Sequence, residues 1–189
     1  CEQIPAPGRT VVLERDESRH LLRVRRAQVG DDVVLFDGRG RTATGSLASA
    51  GKRDACVEVK EVSDAPPDTR VQVTIASAVP KGQRMADLLR ACTETGAREI
   101  RPIVTEHSSV RPELGSSNDR WNRIVREASK QSRRNHFPFV APVAAFDEVL
   151  ASARDYDMAL FADTATGTDS LRNALDADRD AASFLILIG

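Results

Sequence analysis

Residues 71–111 read VQVTIASAVPKGQRMADLLRACTETGAREIRPIVTEHSSVR, and this stretch predicts a strand, a helix and a second strand in succession. The apolar side chains of the first strand alternate and then occupy both faces, as in a parallel strand covered on both sides. The apolar stripe of the helix, at the i, i+3, i+4 and i+7 positions, consists of Met85, Leu88, Leu89 and Cys92. Gly96 ends the helix, and a second apolar run at residues 100–104 completes the unit.

Polar side chains follow each strand of this unit. A β-α-β crossover is almost always right-handed and makes its two strands parallel. Lys81 follows the first strand and Glu106 follows the second, so we expect both at the carboxyl edge of the sheet, where such folds bind ligands. An ordinary polar strand end would have the same pattern, and that alternative stays open.

The composition argues against several classes of protein. Hydrophobic residues make up 41% and charged residues 29% of the 189 residues, and no apolar run approaches the ~20 residues of a membrane-spanning helix. Residues 1–10 lack the features of a signal peptide. The three cysteines and the three histidines are scattered, so we expect neither disulfides nor a metal site. We therefore expect a cytoplasmic protein with no membrane partner.

The charge is distributed unevenly although the net charge is only −1. Residues 69–136 carry 13 basic and 7 acidic side chains, whereas residues 137–189 carry 3 basic and 9 acidic ones. Such asymmetry favours a polyanion bound by one region of the chain. Uneven scatter without a function is the alternative.

The first 65 residues predict a small β domain. Strands are expected at residues 10–13, 33–36, 42–49 and 55–62, and their short, regular spacing is typical of a small barrel. Adjacent prolines in the segment SDAPPD, residues 63–68, indicate a boundary. We therefore predict one domain at residues 1–65 and a second at residues 70–189.

A helical turn is expected at residues 18–26, with Leu21, Leu22 and Val24 facing inward. The cations that would then share one face are Arg19, Arg23 and Arg26. A basic face on a small barrel fits contacts with RNA phosphates. A solvated face balanced by nearby carboxylates fits equally well.

A second helix is predicted from residue 118 or 119, with Trp121, Ile124, Val125 and Ala128 on its apolar side. Its opposite side carries Arg120, Arg123, Arg126, Lys130, Arg133 and Arg134. One glutamate, Glu127, lies among these cations. Because so many like charges repel one another, we favour a nucleic-acid contact over a merely solvated face.

The remaining residues predict further strands and helices of an α/β sheet. Strands are expected at residues 138–143 and, buried, at 158–162, and helices at 147–154, capped by Asp147, and at 169–175. Residues 183–188, SFLILI, are the most apolar run and should form a central strand. A central parallel strand requires a covering helix and a loop after it, so we expect the sequence to be part of a longer chain.

The chain resembles the RsmE family in four segments, KGQRMADLLRACTETGAREIRPIVTEHSSVR, RWNRIVREASKQSRRNHFP, HLLRVRRAQVGDDVVLFDG and LILIG. These are 16S ribosomal RNA uridine-N3 methyltransferases of the SPOUT superfamily, and the resemblance covers nearly all of the chain. It implies an N-terminal PUA-like β-barrel that binds RNA and a C-terminal SPOUT-type parallel α/β domain with a trefoil knot. It also implies S-adenosylmethionine as methyl donor, 16S rRNA of the small ribosomal subunit as substrate, and a homodimer. The segment that would complete the knot is not in this sequence.

The resemblance also implies roles for individual residues. The donor-binding positions are Leu160, Phe161, Ala162, Asp163, Ile188 and Gly189. The motif positions are Lys81, Gly82, Met85, Glu94, Gly96 and Glu106 in the first segment and Glu127, Gln131, Ser132 and Arg134 in the second. We add Lys81 to the expected RNA contacts. His107 and Lys130 replace residues that are usually Arg and Glu in the family, which leaves the role of His107 open.

Methylation at N3 of uracil requires loss of the N3 proton, and nearby cations would stabilise the anion that forms. Arg111 and Arg134 are our candidates for this catalytic role. Glu94 is a weaker candidate for the base, because the pattern favours an ion pair with Arg90 or Arg98 instead. Two other functions compete with methyl transfer: a non-catalytic RNA-binding module related to the family, and a nucleotide-binding oxidoreductase. The oxidoreductase lacks its sequence signature, because no G-x-G-x-x-G motif follows a strand.

Overall fold

The computed structural model describes residues 3–51, 54–66, 69–163 and 170–189. The chain divides into two compact units, residues 1–67 and 68–189. None of the described helices is long and apolar enough to cross a membrane.

The N-terminal unit contains an antiparallel sheet of β1 (Thr10–Val12), β2 (Asp32–Phe36), β3 (Arg41–Ala50) and β4 (Ala55–Asp64), in the order β1-β4-β3-β2. All four strands were predicted within one or two residues. Alternation of apolar and polar side chains fixes which face of β3 and β4 is buried. The buried core consists of Ile4, Leu13, Leu35, Ala43, Leu47, Ala55, Val57 and Val59.

A short helical segment packs against this core through a buried serine. Helix α1 (Arg15–Arg19) continues into a π-helix at His20–Val24. The hydroxyl of Ser18, which is fully buried, donates to the carbonyl oxygen of Leu13 at 3.0 Å and accepts from the amide of Ala55 at 3.0 Å. Ser18 therefore joins the helix to the end of β1 and to the start of β4.

The prediction that Val24 faces inward is wrong. Leu21 and Leu22 do pack on the core, but the Val24 side chain is 66% exposed. The prediction used α-helical spacing, whereas a π-helix has more residues per turn, so later side chains rotate away from the expected face. Arg26 follows the π-helix with a φ of 56° and is not part of any helical face.

The C-terminal unit is built on a parallel sheet with helices on both faces. Its strands are β5 (Gln72–Ala78), β6 (Glu99–Val104), β7 (Phe139–Val140), β8 (Ala144–Ala145), β9 (Met158–Ala162) and β10 (Ser183–Ile188). Their order is β7-β6-β5-β10-β9, and β8 also pairs with β6. The predicted β-α-β unit is present as β5, α2 (Gln83–Thr95) and β6, and β10 is central as predicted.

Helix α2 and helix α3 (Asp119–Ser132) pack against each other on one face of the sheet. Their buried residues join those of β6 in one core, which consists of Val79, Met85, Leu89, Cys92, Ala97, Ile100, Trp121, Val125, Val140 and Val143. Trp121 is thus a core residue, as its position on the apolar stripe predicts. Burial in this core raises the pKa of the Cys92 thiol and keeps it protonated.

The other face is covered by α4 (Phe146–Ala151) and a 3-10 turn at Ser152–Asp155. At the amino edge, the Oδ2 atom of Asp157 accepts hydrogen bonds from the amides of Ala182 and Ser183, at 3.0 and 2.8 Å, and from the Ser183 hydroxyl at 2.8 Å. The Ser183 hydroxyl oxygen also accepts from the Asp157 amide. Asp157 therefore fixes the start of β9 beside the start of β10.

Four predictions about the C-terminal half need correction. The strand expected at residues 138–143 forms only at Phe139–Val140, as β7, because Pro138 and Pro142 on either side of it cannot donate to a ladder, and β8 begins just beyond the expected range. Asp147 lies inside the first turn of α4, whose N-cap is Ala145. Strand β9 is not buried but lies at the edge of the described sheet, with Phe161 58% exposed.

The last correction concerns the helix expected at residues 169–175. Its observed form, α5, spans Leu171–Ala177 with Ser170 as the N-cap. The start of the predicted helix and most of the loop before it, residues 164–169, lie outside the described residues.

Candidate functional site

The carboxyl edge of the parallel sheet is formed by the ends of β6, β5, β10 and β9, in that order. The register pairs Ile188 with Ala162 on one side and with Ser77 on the other, so these three strands end at nearly the same level. Lys81, Glu106, Asp163 and Gly189 follow the strands. The described sheet therefore brings the predicted strand-end residues to one edge, as expected for a doubly covered parallel sheet.

An exposed aromatic ring lies at the β9–β10 end of this edge. Phe161 pairs in register with Leu187. A Cβ atom built on Gly189 would lie 3.9 Å from Cζ of Phe161, and the ring of Phe146 meets the Phe161 ring edge to face with centroids 6.4 Å apart. Phe146 was not predicted, because nothing in the local sequence relates it to Phe161. Together these residues form an apolar surface suited to one face of a nucleoside base.

The turn after β6 is held by Arg111. Its guanidinium donates from Nε to the carbonyl oxygen of Ser108 at 3.1 Å and from Nη2 to the carbonyl oxygen of Glu106. The hydroxyl of Ser108 accepts from the Thr105 amide at 2.9 Å. Glu106 and His107 are exposed on this turn. Arg111 thus fixes the backbone that carries Glu106 and His107 to the carboxyl edge.

Arg134 binds the C-terminal end of α2. Its Nε and Nη2 atoms donate to the carbonyl oxygen of Glu94, at 3.2 and 2.8 Å. Gly96, with a φ of 88°, ends α2 in the left-handed region, and a Cβ atom there would lie 2.6 Å from Nη1 of Arg134. The guanidinium is therefore packed over the glycine. A cation at this position also interacts favourably with the helix dipole.

The opposite face of α2 carries ordinary surface charges. Arg90, one of the two expected partners of Glu94, forms its ion pair with Asp87 at 2.9 Å. Glu94 is exposed.

Helix α3 presents part of the predicted basic stripe to solvent. Asn118 caps the helix, with its side-chain oxygen accepting from the amides of Arg120 and Trp121. The side chains of Arg120 and Arg123 are exposed, while Arg126 is half-buried. The described part of α3 therefore supports phosphate contacts best at its N-terminal half.

The C-terminal half of α3 differs from the prediction. The Lys130 side chain is only 22% exposed and pairs with Glu127 at 2.8 Å. Arg133 adopts the left-handed conformation just past the helix, so neither Arg133 nor Arg134 lies on the helical wheel. The reason is that α3 ends at Ser132, two residues earlier than an uninterrupted wheel assumes.

The other predicted RNA contacts lie at separate places. Lys81 is exposed just before α2. Arg19, Arg23 and Arg26 are exposed in the N-terminal unit. Over the residues that the structure describes, no group of three His, Cys, Asp or Glu side chains is arranged to hold a metal ion.

Comparison with known proteins finds a matching family model for each unit. The model of an RNA methyltransferase PUA domain matches residues 13–60, and that of an RNA methyltransferase domain matches residues 67–189. A ribosomal RNA small subunit methyltransferase E from Synechocystis is 36% identical over 142 residues, which cover 74% of this chain. The chain belongs to the family described by the RNA methyltransferase domain model, which matches more than half of its residues. The resemblance seen in the sequence is thereby confirmed.

Other members of the family agree with this assignment. The Bacillus subtilis enzyme of the same name is 29% identical over 156 residues, or 81% of this chain. A solved structure of the Neisseria gonorrhoeae family member, bound to S-adenosyl methionine, has a TM-score of 0.86 and 26% identity and covers all of this chain and 78% of its own. The present chain spans only 45% and 61% of the Synechocystis and Bacillus proteins. The coarser fold prediction, a PUA domain followed by a parallel α/β methyltransferase domain, is confirmed.

Proposed function

We propose that this chain carries out S-adenosylmethionine-dependent methylation of N3 of a uridine in 16S rRNA of the small ribosomal subunit. The observation that carries the proposal is the match of the two units to an RNA methyltransferase PUA domain and an RNA methyltransferase domain, together with the similarity to proteins named ribosomal RNA small subunit methyltransferase E. The likeness to a family member solved with S-adenosyl methionine supports the choice of methyl donor.

The donor site that we propose is the β9–β10 end of the sheet. It comprises Leu160, Phe161, Ala162, Asp163, Ile188 and Gly189. The fit rests on the half-exposed Phe161 ring beside Gly189, which offers an apolar surface to a nucleoside. When bound there, S-adenosylmethionine would supply an electrophilic methyl group.

The chain's own part in the reaction is to orient the uracil and to favour loss of its N3 proton. Cations near the uracil oxygens would stabilise the anion. Because Arg111 and Arg134 donate hydrogen bonds to backbone carbonyl oxygens, we assign both residues a positioning role. In this proposal Arg111 positions the turn with Glu106 and His107, and Arg134 positions the end of α2.

We propose that each unit has its own RNA contacts. Exposed arginines of α3 and Lys81 would bind phosphates near the site, and Arg19, Arg23 and Arg26 would bind a second part of the RNA.

Further parts of the proposal follow from the family: closure of the N-terminal sheet into a PUA-like barrel, a trefoil knot, a homodimer and a cytoplasmic location. Exposed Phe161 and Ile188 at the carboxyl ends of β9 and β10 support an apolar contact there.

The test uses both this chain and the gene product at its natural length. S-adenosylmethionine binding is measured by calorimetry, and transfer of a tritiated methyl group is measured with small ribosomal subunits from a strain that lacks the modification. The expected result is transfer to 16S rRNA at one uridine, which is mapped as a reverse-transcription stop because N3 methylation blocks base pairing. RNA binding without donor binding or transfer by the natural-length protein would instead support a non-catalytic RNA-binding module.

A further inference from the structure

The loop between β6 and α3 is held at both ends. Val110 packs against the core below α3. The amide of Gly115 donates to the carbonyl oxygen of Val143 at 2.7 Å, and the amide of Val143 donates to the carbonyl oxygen of Ser116 at 3.0 Å. The Ser116 hydroxyl closes the loop by donating to the carbonyl oxygen of Glu113 at 2.6 Å. These bonds leave the backbone of residues 113–116 little freedom.

This fixed loop presents one large apolar side chain to solvent. Leu114 is 56% exposed although its neighbours are bound on both sides. A single exposed leucine on a protein surface is ordinary, so the exposure alone decides nothing. The argument for a role of Leu114 in binding comes from the position of the loop in the fold and from the charge of the residues around it.

The loop lies beside the carboxyl half of the sheet. Val143 directly precedes β8, and β8 pairs with the last two residues of β6, Ile103 and Val104. The bonds between Val143 and the loop therefore place Leu114 near the carboxyl edge of β6. Arg120 follows Leu114 by six residues, which limits their Cα separation to about 20 Å.

The charge around the leucine suits a nucleic acid. Residues 111–126 carry four arginines and two carboxylates, and Arg120 and Arg123 are exposed on the first turns of α3. Phosphates would bind there, and an apolar side chain at the same edge would then contact bases.

The chemistry at N3 requires a uracil that is not paired. In an A–U pair, N3 of uracil donates the central hydrogen bond, so a paired uridine cannot be methylated there. Enzymes that act on a base move it out of the stack, and proteins use leucine among other apolar residues as a wedge between bases. A rigid wedge keeps the base displaced without first ordering a loop.

We propose that Leu114 is a wedge that fills the space left by an unstacked uridine while α3 binds the adjacent phosphates. The partner is RNA with an unpaired or displaced uridine. This inference rests on the proposed function and adds a residue that selects the conformation of the RNA. Leu114 contacts the RNA next to the target base and takes no part in the transfer itself.

The experiment measures the affinity of the chain for two RNA hairpins that differ at one place. One hairpin has a single bulged uridine, and in the other that uridine is paired with adenosine. The variants are Leu114→Ala, the conservative Leu114→Met and, as a matched control, Leu150→Ala on α4, where the leucine is 49% exposed. Methyl transfer to small ribosomal subunits is measured separately.

We expect the wild-type chain to prefer the bulged hairpin by about tenfold, which is the scale of burying one leucine side chain in part. Leu114→Ala should reduce the preference to about twofold or less, while Leu114→Met and Leu150→Ala keep most of it. A wild-type chain without preference, or a Leu114→Ala variant that retains it, overturns the wedge. Absence of methyl transfer by the natural-length wild-type protein, with the preference for the bulged hairpin intact, would overturn the proposed function and leave the wedge standing.

Discussion

The guanidinium of Arg134 donates two hydrogen bonds to the carbonyl oxygen of Glu94 and lies over Gly96 at the end of α2. The contact joins the C-terminal ends of the two helices that cover one face of the sheet. A residue that the sequence offers as a catalytic cation is therefore also a helix cap.

Replacement of Arg134 by alanine should lower the free energy of unfolding by about 1–2 kcal/mol, because the last carbonyl groups of α2 lose a charged donor. Arg134→Lys should recover only part of the loss, since lysine cannot bind through a planar fork. Urea unfolding of both variants and of Arg123→Ala, an exposed control on α3, measures the effect. A purely catalytic Arg134 would leave the stability of all three near that of the wild type.

Gly96→Ala should destabilise the protein by more than the backbone penalty that any left-handed glycine would incur on substitution. The left-handed conformation costs a non-glycine residue about 1–2 kcal/mol, and the new Cβ atom would also push against Arg134. Gly115→Ala is the matched control, because its φ is 77° and nothing lies within 4 Å of its Cβ position. In the Arg134→Ala background, the excess cost of Gly96→Ala should disappear; an unchanged excess would show that the two residues do not interact.

Ser18→Ala should destabilise the N-terminal unit by about 1–3 kcal/mol, because the Leu13 carbonyl and the Ala55 amide lose their buried partner. Hydrogen exchange at the amides of β1 and β4 should accelerate with little change in β5 and β6. Ser49→Ala, at an exposed position of β3, serves as the control. Equal protection of β1 and β4 in both variants would mean that Ser18 does not hold this unit together.

The hydrogen bonds at Asp157 predict how the stability of the protein changes at low pH. Donation from the Ala182 amide, then from the Ser183 hydroxyl and amide, lowers the pKa of the Asp157 carboxyl below its ordinary value of 3.8. When the pKa of a carboxyl group is lower in the folded state than in the unfolded state, its ionised form stabilises the fold at pH values above the unfolded pKa. This contribution is lost as the pH falls through the folded pKa. Asp157→Asn should therefore reduce the melting temperature at pH 7.

The difference in melting temperature between Asp157→Asn and the wild type should shrink progressively below about pH 4. Thermal unfolding of both proteins across that range gives the measurement. A difference that stays constant with pH would mean that the hydrogen bonds do not depend on the charge of Asp157.

The exposed arginines of α3 should act through phosphates. Arg120→Ala and Arg123→Ala should each weaken RNA binding and reduce the slope of log affinity against log salt by about 0.7–0.9. Arg179→Ala is the control, because Arg179 is exposed but paired with Asp176 in an acidic region. Slopes that match the wild type would remove α3 from the RNA surface.

Local sequence patterns predicted most of the fold. The β5-α2-β6 unit and the cap at Gly96 were predictable because each depends on periodicity and on one residue's backbone preference. The π-helix at His20–Val24 was not, because α-helical spacing and π-helical spacing cannot be separated in five residues. Strand β9 was expected to be buried from its apolar sequence, yet burial depends on its place in the sheet, and MALFA forms an edge.

The candidate site was predictable only in outline. The strand-end positions of Lys81 and Glu106 follow from the β-α-β pattern. The bonds of Arg111 and Arg134 to backbone carbonyl oxygens do not, because a carbonyl group leaves no mark on the sequence. For Arg134 the partner also lies on a different helix, and only the packing of α2 against α3 brings the two together.

The position of β10 has a consequence for the synthesis of the protein. Strand β10 inserts between β5, which ends at Ala78, and β9. As the chain leaves the ribosome, β5 and β6 emerge about 80 residues or more before β10, so the edge of β5 that β10 will cover stays open until β10 has emerged. Long-range parallel pairing is slow, and open strand edges invite aggregation. The nascent C-terminal unit therefore carries an unpaired, aggregation-prone strand edge until residues 183–188 are released.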